Sequence, residues 1–196
     1  MGPIVNRTQL ATAALGLGAG IVLYALWSSK RCVPLLGQPG LKVLLVGDSL
    51  GVGLTKPFKA SAVALGEQAM VAAVSGKTMS YWLGQGGLAS IVASFRPDVV
   101  LVCLGTNDSK TNYTTEQLTD QLQRVLATAS STGAKVAWIL PPKLPFPERV
   151  GPLVRAAGVP FFDSAQLDLP QADGIHPTGA GFAAWNEAIW RWATCA

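Results

Sequence analysis

His176 is the only histidine among the 196 residues. A side chain able to take up and return a proton near neutral pH is therefore present at one place in the chain. Three residues before it stands Asp173, whose carboxylate can accept a hydrogen bond from one ring nitrogen and leave the other free. The loop holding both reads Asp173-Gly174-Ile175-His176-Pro177. Three other short runs carry residues of chemical interest: Gly47-Asp48-Ser49-Leu50, Ser75-Gly76 and Gly105-Thr106-Asn107-Asp108. A serine hydroxyl becomes a useful nucleophile once a positioned base removes its proton. Taken singly, each run also has a plainer use. Gly-Asp-Ser is common in surface turns, Gly-Thr-Asn-Asp reads equally as a turn or a helix cap, and a lone histidine is often structural.

Four loops can act together only if the fold gathers them. From Leu41 onward the chain alternates strand and helix signals. Leu41–Val46, Ala69–Val74, Asp98–Leu104, Lys135–Leu140 and Val159–Phe162 are short apolar runs that suit strands buried on both faces. Helical patterns cover Leu50–Leu65 (with a start or kink expected at Pro57), Met79–Leu83, Leu88–Phe95, the stretch after Thr114 and Thr115 up to Gly133, Glu148–Ala157 and Gly179–Ala193. Thr178 is the expected cap of the last helix, and Asp48 and Asp108 are expected to hold their loops by accepting nearby amides. This alternation predicts an α/β fold with a mostly parallel five-stranded sheet covered on both sides. Ligands in such sheets bind beyond the carboxyl ends of the strands. Three of the runs follow the first three strands, and the fourth precedes the last helix.

In this order the motifs resemble the SGNH/GDSL hydrolase family over nearly all of the chain after residue 41. Gly47-Asp48-Ser49-Leu50 matches its first block, Gly105-Thr106-Asn107-Asp108 its third, and Asp173 with His176 its fifth; the second rests on Gly76 alone. The resemblance implies a three-layer, flavodoxin-like α/β/α sandwich that hydrolyses esters or thioesters. It implies Ser49 as nucleophile, His176 as general base and acid, and Asp173 as its orienting partner. It also implies an oxyanion hole built from the N–H groups of Ser49 and Gly76 and the amide of Asn107. No metal or cofactor is expected. Small acyl esters, lipids and acetylated carbohydrates all remain open as substrates. Tyr81, Trp82, Leu144 and Phe146 lie in segments that could wall the site, and Trp82 could stack on a sugar ring.

Other classes find less support. Ser75-Gly76-Lys77-Thr78 imitates the end of a phosphate-binding loop, but the first glycine of that pattern would fall at Val71, inside a strand. A flavodoxin-like cofactor binder and an inactive membrane-tethered binding module are the alternatives that the fold class leaves open. The net charge of +4 comes from scattered basic residues without interleaved aromatics, so a nucleic-acid partner is not expected.

Leu10–Trp27 is an uncharged run of 18 residues, about 27 Å as a helix, and is expected to anchor the chain in a membrane. The organisation read from the sequence is an anchor over 1–31, a linker over 32–40 and a hydrolase domain over 41–196. The domain is expected on the extracytoplasmic side, or secreted if the segment is cleaved. Cys103 sits in an apolar run and reads as core, while Cys32 and Cys195 flank the domain and could pair in an oxidising compartment. Gly16 and Gly20 form one G-x-x-x-G, a weak dimerisation signal that small-residue composition also produces, so the oligomeric state stays open.

Overall fold

A computed structural model describes residues 34–196. The expected membrane segment, and the Cys32 half of the expected cysteine pair, lie outside the described residues. No helix of the described residues is long and apolar enough to cross a membrane.

Five strands form one all-parallel sheet: β1 (Lys42–Gly47), β2 (Gln68–Ala73), β3 (Val99–Cys103), β4 (Lys135–Leu140) and β5 (Phe161–Asp163). Their spatial order is β2-β1-β3-β4-β5. Parallel neighbours need crossovers, and helices supply them: α1 (Ser49–Ala64), α2 (Met79–Leu83), α3 (Leu88–Phe95), α4 (Thr115–Ala129), α5 (Gly151–Ala156) and α6 (Gly179–Thr194).

The two-residue period of a strand splits the central apolar runs between two cores. Leu44, Val46, Val100, Val102, Trp138 and Leu140 pack beneath α2 to α5. Val43, Leu45, Val99, Leu101, Cys103, Ala137 and Ile139 face α1 and α6 on the other side. Every residue of β3 is buried, as is all of β1 except Lys42, which is why these strands read as unbroken apolar runs rather than alternating ones. Each fully buried leucine or valine contributes on the order of 1.5–3 kcal/mol.

Several boundaries differ from the sequence reading for local reasons. Pro57 does not start α1, which runs from Ser49 to Ala64 with the proline inside it. Proline removes one backbone donor there, but Leu50, Leu54, Phe58 and Ala62 bury one face on both sides of it and hold the helix to the sheet. Helix α5 begins at Gly151 instead of Glu148, with Val150 at its N-cap position; Glu148 stands outside the helix, its carboxylate accepting the N–H groups of Val150 and Gly151. Thr114 and Gln117 form a reciprocal capping box at the start of α4, and Thr178 accepts the Gly181 N–H at 3.2 Å at the start of α6.

Register sets where the loops open. Gly47 pairs with Ala73 on one side and with Cys103 on the other, so β1, β2 and β3 end level. The loops carrying Ser49, Gly76 and Asn107 leave the sheet side by side.

Candidate active site

Ser49 is the first residue of α1, and Asp48 puts it there. The Asp48 carboxylate accepts the Leu50 N–H at 2.9 Å, and the Asp48 N–H donates to the Cys103 carbonyl at 3.3 Å, extending the strand ladder by one bond before the helix begins. The serine hydroxyl thus stands at the N-terminus of a 16-residue helix, where unpaired N–H groups and the helix dipole favour negative charge. The turn into the helix is tight. A Cβ at Gly47 would lie 2.8 Å from the Gly51 Cα and 3.2 Å from the Cys103 carbonyl oxygen, so a side chain cannot fit there without moving backbone.

His176 reaches the same place from the far end of the chain. Its loop is braced by the Ala172 N–H donating to the His176 carbonyl and the Thr178 N–H to the Pro170 carbonyl, both at 2.8 Å. Within that brace Asp173 Oδ1 accepts the N–H groups of Ile175 at 3.0 Å and His176 at 2.7 Å. Asp173 Oδ2 lies 2.8 Å from His176 Nδ1, and His176 Nε2 lies 2.8 Å from Ser49 Oγ. The backbone N–H of His176, then its ring, then the Ile175 N–H hold the Asp173 carboxyl well below the usual carboxylate range. An ionised carboxylate can only accept, so the ring proton belongs on Nδ1, and Nε2 is left to accept from the serine hydroxyl.

Asn107 does not cap a helix. It precedes the short 3₁₀ turn Asp108–Lys110 without a side-chain capping bond. Its amide nitrogen instead donates to Asp48 Oδ2 at 3.1 Å and to the Lys77 carbonyl at 3.2 Å. Lys77 follows Gly76, which is exposed and has a φ of +74°, a conformation that favours glycine. The backbone N–H groups of Ser49 and Gly76 donate to no acceptor among the described residues. Ser49, His176 and Asp173 are therefore brought into direct contact, and Asn107 joins the Gly76 loop to the turn before Ser49.

Two buried carboxylates lie behind these groups. Burial pushes Asp48 up to about 6, with the charge of Asp108 adding and the Leu50 N–H opposing. Burial likewise pushes Asp108 up to about 6, against the Met79 N–H that its Oδ1 accepts at 2.9 Å. Asp108 Oδ2 is buried without a partner among the described residues. No group of three or more His, Cys, Asp or Glu side chains among the described residues could hold a metal ion.

Some residues stand elsewhere than their place in the sequence suggests, and Arg149 joins the site's loops without any motif. Trp82 does not wall the site: it is 3% exposed, lies in the core beneath α2 to α5, and donates its indole N–H to the Gly47 carbonyl at 3.2 Å. It braces the end of β1 from behind and cannot stack on a sugar. Tyr81 is half-buried, with the Lys77 ammonium 4.7 Å from its ring centre. Phe146 in the proline-rich loop after β4 lies under the Lys110 ammonium at 4.6 Å. Arg149 carried no motif, yet its guanidinium donates to the Thr111 and Tyr113 carbonyls, and its backbone N–H donates to Ser109 Oγ at 3.0 Å. It ties the loop after β3 to the loop after β4. Its partners lie 36 to 40 positions away, so no local pattern could have marked it.

A serine hydroxyl at a strand-to-helix turn, in line with a histidine and a carboxylate at the carboxyl edge of a parallel sheet, is an arrangement that defines serine hydrolases as a class. The model of the GDSL-like lipase/acylhydrolase family matches residues 45–184, and the chain belongs to that family. It is an esterase-type hydrolase. The chain is 29% identical to esterase TesA of Pseudomonas aeruginosa, over 76% of this chain and 85% of that one. It is 27% identical to an arylesterase of Vibrio mimicus, over 54% of this chain, and the match spans only 56% of that protein. The crystal structure of TesA superposes with a TM-score of 0.62, at 24% identity, over 77% of this chain and 97% of the other.

Proposed function

We propose that the protein hydrolyses carboxylic esters through an acyl-enzyme formed on Ser49. The observation that carries this reading is the unbroken pair of 2.8 Å hydrogen bonds from Asp173 through His176 to Ser49, whose last two members are 127 positions apart. Ser49 Oγ attacks the acyl carbonyl as His176 Nε2 takes its proton. Asp173 keeps the ring in the Nδ1–H tautomer and stabilises the imidazolium. The negative charge formed on the carbonyl oxygen is met by the N–H groups of Ser49 and Gly76 and by the amide of Asn107. One such donor is worth about 10²–10³ in rate. His176 then gives its proton to the leaving alkoxide, and a water activated by the same nitrogen releases the acid.

The substrate class is an acyl or acetyl ester: a small acyl ester, a lipid or an acetylated carbohydrate. The relatives named above support ester substrates in general. The His176 side chain is 35% exposed and that of Asp173 55%, so the site is open and suits an ester presented from a larger molecule as well as a small one. By the same proposal the α/β/α domain is flavodoxin-like in its strand order, and the apolar run at 10–27 holds it at a membrane on the extracytoplasmic side.

The test is turnover of p-nitrophenyl esters of increasing chain length and of acetylated sugars by wild type and Ser49→Ala. The variant is expected to fold normally and to lose turnover by several orders of magnitude. Full activity in it would overturn the mechanism. Membrane fractionation of the full chain and of residues 32–196 tests the anchor, with only the full chain expected in the membrane pellet.

A further inference from the structure

The Asp48 carboxylate has two oxygens, and they serve different halves of the site. Oδ1 accepts the Leu50 N–H at 2.9 Å and so fixes where α1 begins, with Ser49 as its first residue. Oδ2 accepts the Asn107 amide at 3.1 Å, across 59 positions of sequence. The carboxylate is fully buried, and its own backbone N–H is held by the Cys103 carbonyl, so it has little freedom to swing away.

An asparagine side chain has two ends of nearly equal shape and opposite hydrogen-bonding character. Which end points inward is decided by the neighbours. Around Asn107 those neighbours are Asp48 Oδ2 and the Lys77 carbonyl, and above about pH 6, where Asp48 is ionised, both can only accept. With the amide reversed, its oxygen would face a carboxylate and a carbonyl, leaving three acceptors and no proton between them. We propose that Asp48 is a positioning residue that holds Asn107 in its donor orientation and couples that orientation to the helix start bearing Ser49. This rests on the reading of Asn107 as an oxyanion donor.

The two N–H bonds of the Asn107 amide are not equivalent. The one on Lys77 meets a neutral carbonyl, and the one on Asp48 meets a carboxylate. Charge-assisted hydrogen bonds are roughly twice as strong as neutral ones. As an oxyanion develops, the N–H on Lys77 is the one that can be drawn to it, while the N–H on Asp48 stays as the pivot. Catalysis then needs only a small rotation of an amide that is already correctly oriented, and no search between its two ends.

The test is a double-mutant cycle between positions 48 and 107, read on a short p-nitrophenyl ester. Asp48→Asn keeps the shape and can still cap Leu50 through its carbonyl oxygen, but it sets an NH₂ against the NH₂ of Asn107. It is expected to lower kcat about 100-fold with KM within about threefold, matching Asn107→Ala. The double variant is expected to be no slower than Asn107→Ala alone, because Asp48 would have nothing left to position. Asp48→Asn turnover within a few-fold of wild type would overturn the proposal. So would losses that multiply in full in the double variant. That result would mean Asp48 acts on Ser49 through the helix cap, or on His176 through its charge, and the charge effect would also displace the pH–rate midpoint. His176, Asp108 and the buried Cys103 thiol are the titratable groups that interact with Asp48. Wild-type turnover in Asn107→Ala would instead sink the oxyanion assignment itself. If Asp48→Asn does not give a cooperative thermal melt, Asp48→Ser removes the carboxylate while keeping a capping oxygen, and the same cycle with the same expectations applies.

Discussion

The Asp173 carboxylate grips His176 twice, with Oδ2 on ring Nδ1 at 2.8 Å and Oδ1 on the backbone N–H of the same residue at 2.7 Å. One side chain thus sets both the position of the histidine's backbone and the rotation of its ring. This is economical because the two residues are only three apart, and the loop between them closes on itself through the Ala172 to His176 carbonyl bond.

Asp173→Asn is expected to separate these two effects. The amide oxygen can still accept the backbone N–H groups, so the loop keeps its shape, but its NH₂ now faces Nδ1 and favours the wrong tautomer. Turnover should fall on the order of 10²–10⁴-fold with thermal stability nearly unchanged, since Asp173 is exposed. Steady-state kinetics beside a melting curve checks it. Retained turnover would mean that the histidine needs no partner.

The raised carboxyl of Asp108 has a consequence for stability. A carboxyl group whose folded pKa stands above its unfolded value binds its proton more tightly in the native state. Its contribution is full below about pH 4 and is lost as pH rises through about 6. Asp108→Asn removes this dependence. Denaturant titrations of both proteins from pH 4 to 7 should show the stability difference shifting against wild type with rising pH, by on the order of 2 kcal/mol. A difference that stays constant with pH would show that Asp108 does not titrate in this range.

Gly47→Ala is expected to damage activity out of proportion to stability. The new Cβ meets backbone at Gly51 and at the Cys103 carbonyl, neither of which can turn aside as a side chain would. Relief requires moving the first turn of α1, and Ser49 with it. A stability loss of about 1–3 kcal/mol should come with a fall in turnover of ~10-fold or more in protein that is still fully folded. Gly76→Ala makes a useful contrast. Its Cβ meets nothing within 4 Å, and only the strain of φ +74° applies, so its stability cost should be nearer 1 kcal/mol.

Arg149→Lys keeps the charge but cannot span the Thr111 and Tyr113 carbonyls together. The loop after β3 should loosen while the strand before it does not. Hydrogen exchange measured on peptides covers this directly: residues 108–114 should exchange about tenfold faster or more, and residues 99–103 at the wild-type rate. Equal protection in both proteins would remove Arg149 as the tie.

The alternation of five apolar runs with helical patterns was legible in the sequence because strand burial and helix amphipathicity are written into each segment separately. The cap of the last helix was legible for the same reason: Thr178 acts on an N–H group three residues away. Family resemblance then named Ser49, Gly76, Asn107, Asp173 and His176 as a set. No local pattern could say that Ser49 Oγ and His176 Nε2 stand 2.8 Å apart, since that distance depends on the register of β1 against β3 and on how α6 packs beside α1. The same holds for Trp82, whose aromatic ring looked suited to a substrate wall until packing placed it in the core under the end of β1. It holds again for the two acceptors around the Asn107 amide, 59 and 30 positions away. What the sequence determined by itself was the chemistry available and the elements that carry it, because both rest on residue type and short spacing. Which groups meet, and which way they point, was decided by the tertiary structure, because sheet register and core packing act between segments that share no local signal.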